Sequence, residues 1–257
     1  MSIINNAFYP GLIYNAVSIA LGVEATSGFV AYVAKVVIAL LLALPSYLGV
    51  RFIGVASLIM MTLVLTTTAV YSIWGLAVGD GEFFRLRETT LNDAKPMNWQ
   101  LMMRFLFTNF DRLAWISMIG GEVRNPARTY PRVIFFTAVL SILTYIVPFI
   151  STVVSEKTSW RDLAPDSYPQ IALDLGGPGL HSLMVFTSVV MFTGLFANSV
   201  FLESFLVQGM AQSQLLPKIF RKRSARFKTP KYALLVSLLT MFVVIGFQYD
   251  TLLDLTN

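Results

Sequence analysis

Residues Phe52–Val78 read FIGVASLIMMTLVLTTTAVYSIWGLAV, without one charged side chain. The hydrocarbon core of a bilayer is crossed by roughly 20 apolar residues in an α-helix, so this stretch is long enough to span it. The same character recurs on both sides. Phe29–Val50 precedes it, separated only by Arg51, and Val133–Val154, Leu180–Val207 and Tyr232–Tyr249 follow. Ile3–Leu21, interrupted by Pro10-Gly11, and the more polar Trp99–Gly120 complete a set of about seven candidate spans. None alternates with the period of a strand, so a β-barrel is not expected. Backbone in lipid must satisfy its own hydrogen bonds, which leaves helices. The predicted fold class is therefore all-α and transmembrane, with residues 1–257 forming one transmembrane domain.

Composition agrees. The chain has 257 residues, 56% of them hydrophobic and 13% charged, against about 25% charged in soluble domains. It has no Cys, which excludes disulfides and Cys-based metal sites. Its one His, His181, stands near a predicted helix start and cannot build a metal site alone. No cofactor, metal or nucleic-acid partner is expected. The eleven Met and twenty Phe are read as packing and lipid-facing side chains, and Pro45 and Pro148 as helix kinks.

Lys and Arg in the connections set the orientation. One set of alternate loops holds Arg51, Arg124, Arg128, Arg132, Lys218, Arg221, Lys222, Arg223, Arg226, Lys228 and Lys231. The other holds Arg85, Arg87, Lys95, Lys157 and Arg161, diluted by eight Asp and Glu between Asp80 and Asp174. The first set should be cytoplasmic, which places the N-terminus inside. The basic run over 218–231 is read as a solvated, topology-setting loop, with binding of anionic lipid as the sharper alternative. The outer connections, about 79–98 and 155–179, carry Pro, Gly and Trp and are expected to be partly ordered caps.

Ionisable groups at membrane depth are expensive and mark function unless they are paired or snorkel. Lys35 and Arg104 lie near the outer ends of their spans and can snorkel to the headgroups. Asp111 and Arg112 sit near the middle of the fourth span. They can neutralise each other, or Asn109 and Asp111 can face a watered cavity. Asn and Asp side chains compete for backbone groups and loosen a helix, and a helix broken at mid-membrane frees backbone to coordinate a ligand. Glu203 lies four residues after Ser199, on one helix face with Phe192 and Phe196. It reaches either the inner headgroups or the same cavity as Asp111. Two carboxylates beside aromatic rings suit a cationic ligand, and a carboxylate at low dielectric suits proton coupling.

Gly120-Gly-Glu-Val-Arg-Asn-Pro-Ala-Arg-Thr-Tyr-Pro-Arg132 resembles a cytoplasmic loop motif of the amino acid–polyamine–organocation transporter superfamily, carried on Gly121, Glu122, Asn125, Pro126 and Pro131. Asn125-Pro126 is expected to make a turn and Thr129-Tyr-Pro131 to start the next helix. Gly209-Met-Ala-Gln-Ser-Gln-Leu-Leu-Pro217, Lys228-Thr-Pro-Lys231 and Asn6-Ala-Phe-Tyr-Pro10 are similar to further family patterns, the last to polyamine and cationic amino acid transporters of plants and protists. The resemblance implies a LeuT-like fold of inverted five-helix repeats, of which this chain would supply spans three to nine of about twelve. It implies that Tyr9, Asn109, Asp111 and Glu203 line the substrate cavity. Plant relatives carry an acidic residue at the place of Ser199, which is kept as a substrate-binding candidate beside Glu203.

The expected function is secondary active transport of amino acids or polyamines, with Asp111 and Glu203 as proton-coupling candidates. The expected partners are a small-molecule substrate and the bilayer, in the plasma membrane before an organelle membrane. The alternative is a truncated or receptor-like membrane protein that does not transport. A membrane enzyme is not expected, since no His cluster, serine-based dyad or metal-ligand spacing appears.

Overall fold

Every regular element among the described residues is helical. The computed structural model describes residues 2–21, 29–78, 99–100, 102–103, 107, 111–123, 125–154 and 168–245. They form α1 (Ser2–Leu21), α2 (Phe29–Tyr47), α3 (Val50–Val78), a 3-10 helix (Asp111–Glu122), α4 (Pro126–Val154), α5 (Tyr168–Gln212), a short 3-10 turn (Lys218–Arg221) and α6 (Lys231–Ile245). Four of these, α2, α3, α4 and α5, are long and apolar enough to cross a membrane, and α6 is a shorter apolar helix.

The helices hide little of their apolar surface. In the most apolar stretch of α4 only 6% of residues are buried, and in that of α3 only 11%. Patches of this size are not left open to water; they suit a hydrocarbon solvent. The hydroxyls within α3 are satisfied locally: Thr62, Thr66 and Thr67 donate to the carbonyls of Leu58, Thr62 and Leu63 at 2.8–2.9 Å. That back-bonding lets Thr66 and Thr67 sit in an apolar helix without orphaned donors.

The chain divides into two compact units, with the cuts falling inside α3 and α5. In the unit of 1–67 and 182–257, small residues bring helices together. α2 buries Ala31, Ala39, Ala43 and Ser46. Ala39 and Ala43 share a core with Ala7 and Tyr9 of α1, Phe196 and Val200 of α5, and Leu234, Met241 and Ile245 of α6. Ser46 Oγ donates to the carbonyl of Ala197 at 2.8 Å, Ser57 Oγ to Asn198 Oδ1 at 2.9 Å, and Tyr32 Oη to the carbonyl of Phe242 at 3.1 Å. Where lipid is as apolar as Leu, such small faces and hydrogen bonds hold helices together. In the unit of 68–181, Ser151 Oγ donates to the carbonyl of Ser72 at 2.8 Å, and the Tyr71 and Thr152 hydroxyls lie 2.8 Å apart. Gly75 makes this approach possible, because a Cβ there would run into the Ser151 hydroxyl.

The structure corrects three expectations. Pro10 lies inside α1, which runs on without a break. Asp111–Glu122 is not α-helix but a long 3-10 helix, with Ile119 departing from helical backbone at φ −103°, ψ 17°. And α4 begins at Pro126, not near Thr129, leaving Pro131 inside it. Asn125 starts that helix: its carbonyl accepts from the N–H groups of Arg128 and Thr129 at 3.0 and 3.1 Å. Its own φ is 50°, a left-handed conformation that Asn tolerates better than other non-glycine residues.

Candidate functional site

α5 carries the chemistry of the first unit. It runs from Tyr168 to Gln212 with a break at Gly177, whose φ of 72° precedes Pro178. Pro178 removes a helical hydrogen bond and Gly177 adopts the backbone that other residues avoid, so the helix is two pieces. The first piece, Tyr168 to Gly176, lies in a connection expected to be a cap. His181 follows the break, and its Nδ1 lies 2.8 Å from the carbonyl of Pro169.

Beyond the break, no residue of α5 between Phe192 and Gln208 is exposed. Phe192, Phe196, Ser199 and Glu203 fall on one face of it, three and four residues apart. Ser199 is 1% exposed and Glu203 4%. Both side chains are thus enclosed by protein. Tyr9 of α1 is buried too. Its ring stacks at a tilt on Phe192, with centroids 6.5 Å apart, and it shares a core with Phe196 and Val200. The structure thus places Tyr9 against Phe192 and in one core with Phe196, while Glu203 lies eleven residues beyond Phe192 on the same α5 face, about 16 Å along the axis. A carboxylate, a hydroxyl and aromatic rings in a dry setting can recognise an ammonium group by charge, hydrogen bond and cation–π contact.

Sequence reasoning missed Asn6 and Ser237 as buried polar groups. Asn6 is 1% exposed, and among the described residues neither its Oδ1 nor its Nδ2 has a hydrogen-bond partner; Ser237 Oγ on α6 is likewise buried without one among them. Leaving a buried amide unsatisfied costs about 1–3 kcal/mol. The sequence signal for Asn6 was its place at the head of the Asn6-Ala-Phe-Tyr-Pro10 pattern in an apolar run.

Asn109 lies outside the described residues. Asp111 opens the 3-10 helix of the second unit, and its side chain also lies outside what the structure describes. Runs of 3-10 helix beyond 3–4 residues are uncommon and mark hinges or strain, so the backbone of Asp111–Glu122 is irregular, with its departure at Ile119. In the loop motif, Gly121, Asn125, Pro126 and Pro131 are exposed, and the Glu122 side chain is not described. Among the described residues no cluster of metal-ligating side chains occurs.

A model of the family described as "Amino acid permease" matches residues 1–255. The chain belongs to the amino acid permease family. It is 25% identical over 99% of its length to the polyamine transporter RMV1 of Arabidopsis thaliana, covering 51% of that protein. Against the polyamine transporter PUT1 of Oryza sativa subsp. japonica, identity is 27% over 91% of this chain and 43% of the relative. A D-serine/D-alanine/glycine transporter of Escherichia coli K12 matches 43% of the chain at 28% identity, covering 24% of its own length. The chain thus spans about half the length of the plant relatives. Membership in this permease family, with its apolar helices, makes it an integral multi-pass membrane protein, and the LeuT-like fold expected from the loop motif fits the family. These relatives are transporters, not enzymes.

Proposed function

We propose that the chain works in secondary active transport of amino acids or polyamines by alternating access, with Tyr9, Asn109, Asp111, Ser199 and Glu203 contacting substrate. The observation that carries this reading is Glu203: a carboxylate 4% exposed on a helix face shared with Ser199, Phe196 and Phe192. A carboxylate enclosed in this way can act on a cationic substrate or exchange a proton. Asp111 and Glu203 are the proton-coupling candidates, and the seven apolar runs are spans three to nine of the family's fold. The names of the plant relatives favour a polyamine; that of the bacterial relative favours an amino acid.

Purified chain in proteoliposomes, assayed for uptake of labelled putrescine, arginine and alanine with and without an inward proton gradient, tests this. Uptake of at least one substrate above that of protein-free vesicles is expected, stimulated by the gradient. No uptake of any substrate by correctly folded protein would overturn the reading for this chain. Uptake indifferent to the gradient would remove proton coupling alone.

A further inference from the structure

The connection between α5 and α6 is a built element. α5 ends in a Schellman arrangement: Gln214 has φ 64°, its N–H donates to Ala211, and the Leu215 N–H donates to Met210 at 2.9 Å. Arg221 then reaches back, its Nε donating to the Ala211 carbonyl at 2.7 Å. The Ser224 N–H donates to Thr229 at 2.8 Å and the Lys228 N–H to Ser224 at 2.9 Å, with Lys228 at φ 56°. Thr229 Oγ1 donates to the Tyr47 carbonyl at 3.1 Å, and the Phe227 ring meets the Tyr47 ring edge-on at 5.5 Å. The segment is thereby fixed to the end of α2.

On this frame Lys218, Lys222, Arg223, Arg226, Lys228 and Lys231 are all exposed, as is Arg51 at the start of α3. The sequence holds no Asp or Glu from Ser204 to Tyr249. The Arg223 and Arg226 guanidinium groups lie over the Phe205 and Phe227 rings at 5.5 and 5.3 Å, which orients them. In the same segment large apolar side chains are left exposed, Leu215 at 73% and Ile219 at 46%. A loop that only set topology would need the charges, but neither the fixed frame nor these apolar side chains.

We propose that the 209–231 segment is an interfacial binding site for anionic phospholipid, with Leu215 and Ile219 seated in the acyl boundary and the Lys and Arg side chains on the headgroup phosphates. Amphipathic surface elements bind this way, by apolar burial plus attraction to anionic lipid, and the loop charge places the segment on the cytoplasmic face, where anionic lipids are found.

The chain has no Cys, so Leu215→Cys gives a single site for a polarity-sensitive fluorophore. In proteoliposomes containing phosphatidylserine the emission is expected to shift to the blue and to resist a water-soluble quencher. High salt should reverse this, as it screens surface charge. The same spectrum in pure phosphatidylcholine would overturn the proposal, as would a water-exposed label in both lipids. A second measurement avoids the label: native mass spectrometry of phosphatidylserine retained by the chain. The combined variant Lys218→Gln, Lys222→Gln, Arg226→Gln and Lys228→Gln changes exposed side chains only. At about five-fold per surface cation, its retention should fall at least about tenfold, and the matching Lys→Arg changes at 218, 222 and 228 should keep it. Retention equal to wild type refutes the site. Full competition by soluble glycerophosphoserine at matched ionic strength would also refute it, showing a site for a free phosphate ester and not for a bilayer lipid.

Discussion

Replacing Glu203 by Gln keeps the shape of the side chain and its place on the α5 face beside Ser199, and removes only the charge. At roughly 4 Å, a carboxylate and an ammonium attract by about 4 kcal/mol at an effective dielectric of about 20. A substrate ammonium gives up hydration to reach a group 4% exposed, which offsets a large part of that attraction. A net loss of about 1.4–2.8 kcal/mol follows, a tenfold to hundredfold weaker grip on a cationic substrate. Alanine has no side-chain cation, and its α-ammonium is balanced by its own carboxylate, so it loses little if Glu203 pairs with the distal cation of putrescine and arginine. Initial uptake rates in proteoliposomes, measured across substrate concentration for putrescine, arginine and alanine, read this directly. KM for the cations should rise tenfold to a hundredfold with alanine changed by no more than about twofold. Equal losses for all three would show that Glu203 serves the fold or the coupling step, and unchanged kinetics for all three would remove it from the site.

Asn6→Leu, the nearest apolar shape, removes an amide whose Oδ1 and Nδ2 are buried without partners among the described residues. It should stabilise by about 1–3 kcal/mol, seen as a melting temperature raised by about 2–4 °C per kcal/mol; a lower value would mean the amide is satisfied by a bound guest. Gly75→Ala drives a methyl into the Ser151 hydroxyl and should cost about 1–3 kcal/mol. Adding Ser151→Ala should recover part of it, and strictly additive losses would refute the close approach. Arg221→Gln removes the 2.7 Å bond to the Ala211 carbonyl and should cost about 1–2 kcal/mol for a half-exposed charged donor, with faster hydrogen exchange at 209–216 as the local sign. Unchanged exchange there would show that the α5 terminus is held by its backbone bonds alone.

The apolar runs were legible because lipid removes the need for an amphipathic pattern: length and the lack of charge suffice to find α2, α3, α4 and the membrane part of α5. What failed was punctuation. Gly-Gly-Pro-Gly at 176–179 reads as the edge of a helix, yet helix resumes on both sides of Gly177 because one left-handed residue is enough to redirect the chain. Pro131 reads as a helix start, but Pro126 takes that place. Asn125 accepts the left-handed φ that a tight start demands, and the carbonyl left without a donor by Pro131 belongs to Ala127, which is exposed. The spacing of Ser199 and Glu203 gave their shared face directly. Asn6 and Ser237 stayed hidden because whether a polar group has a partner is a tertiary fact: nothing in the neighbouring residues encodes it.

The packing around α5 links scaffold and site. Ala39 and Ala43 of α2 and Ala7 of α1 lie in one core with Phe196 and Val200, and Ser46 hydrogen-bonds the Ala197 carbonyl. Side chains this small let backbones approach closely and leave no room for solvent between helices. A larger residue at these positions would wedge the helices apart and admit water along the face that carries Ser199 and Glu203. Water raises the local dielectric, and Coulomb attraction falls in proportion. The small residues that hold the first unit together therefore also set how strongly its carboxylate can act on a charge brought to it. That gives two separable signatures. A defect in packing at α5 alters stability and charge recognition together, whereas the Glu203→Gln change alters recognition while leaving the packing in place.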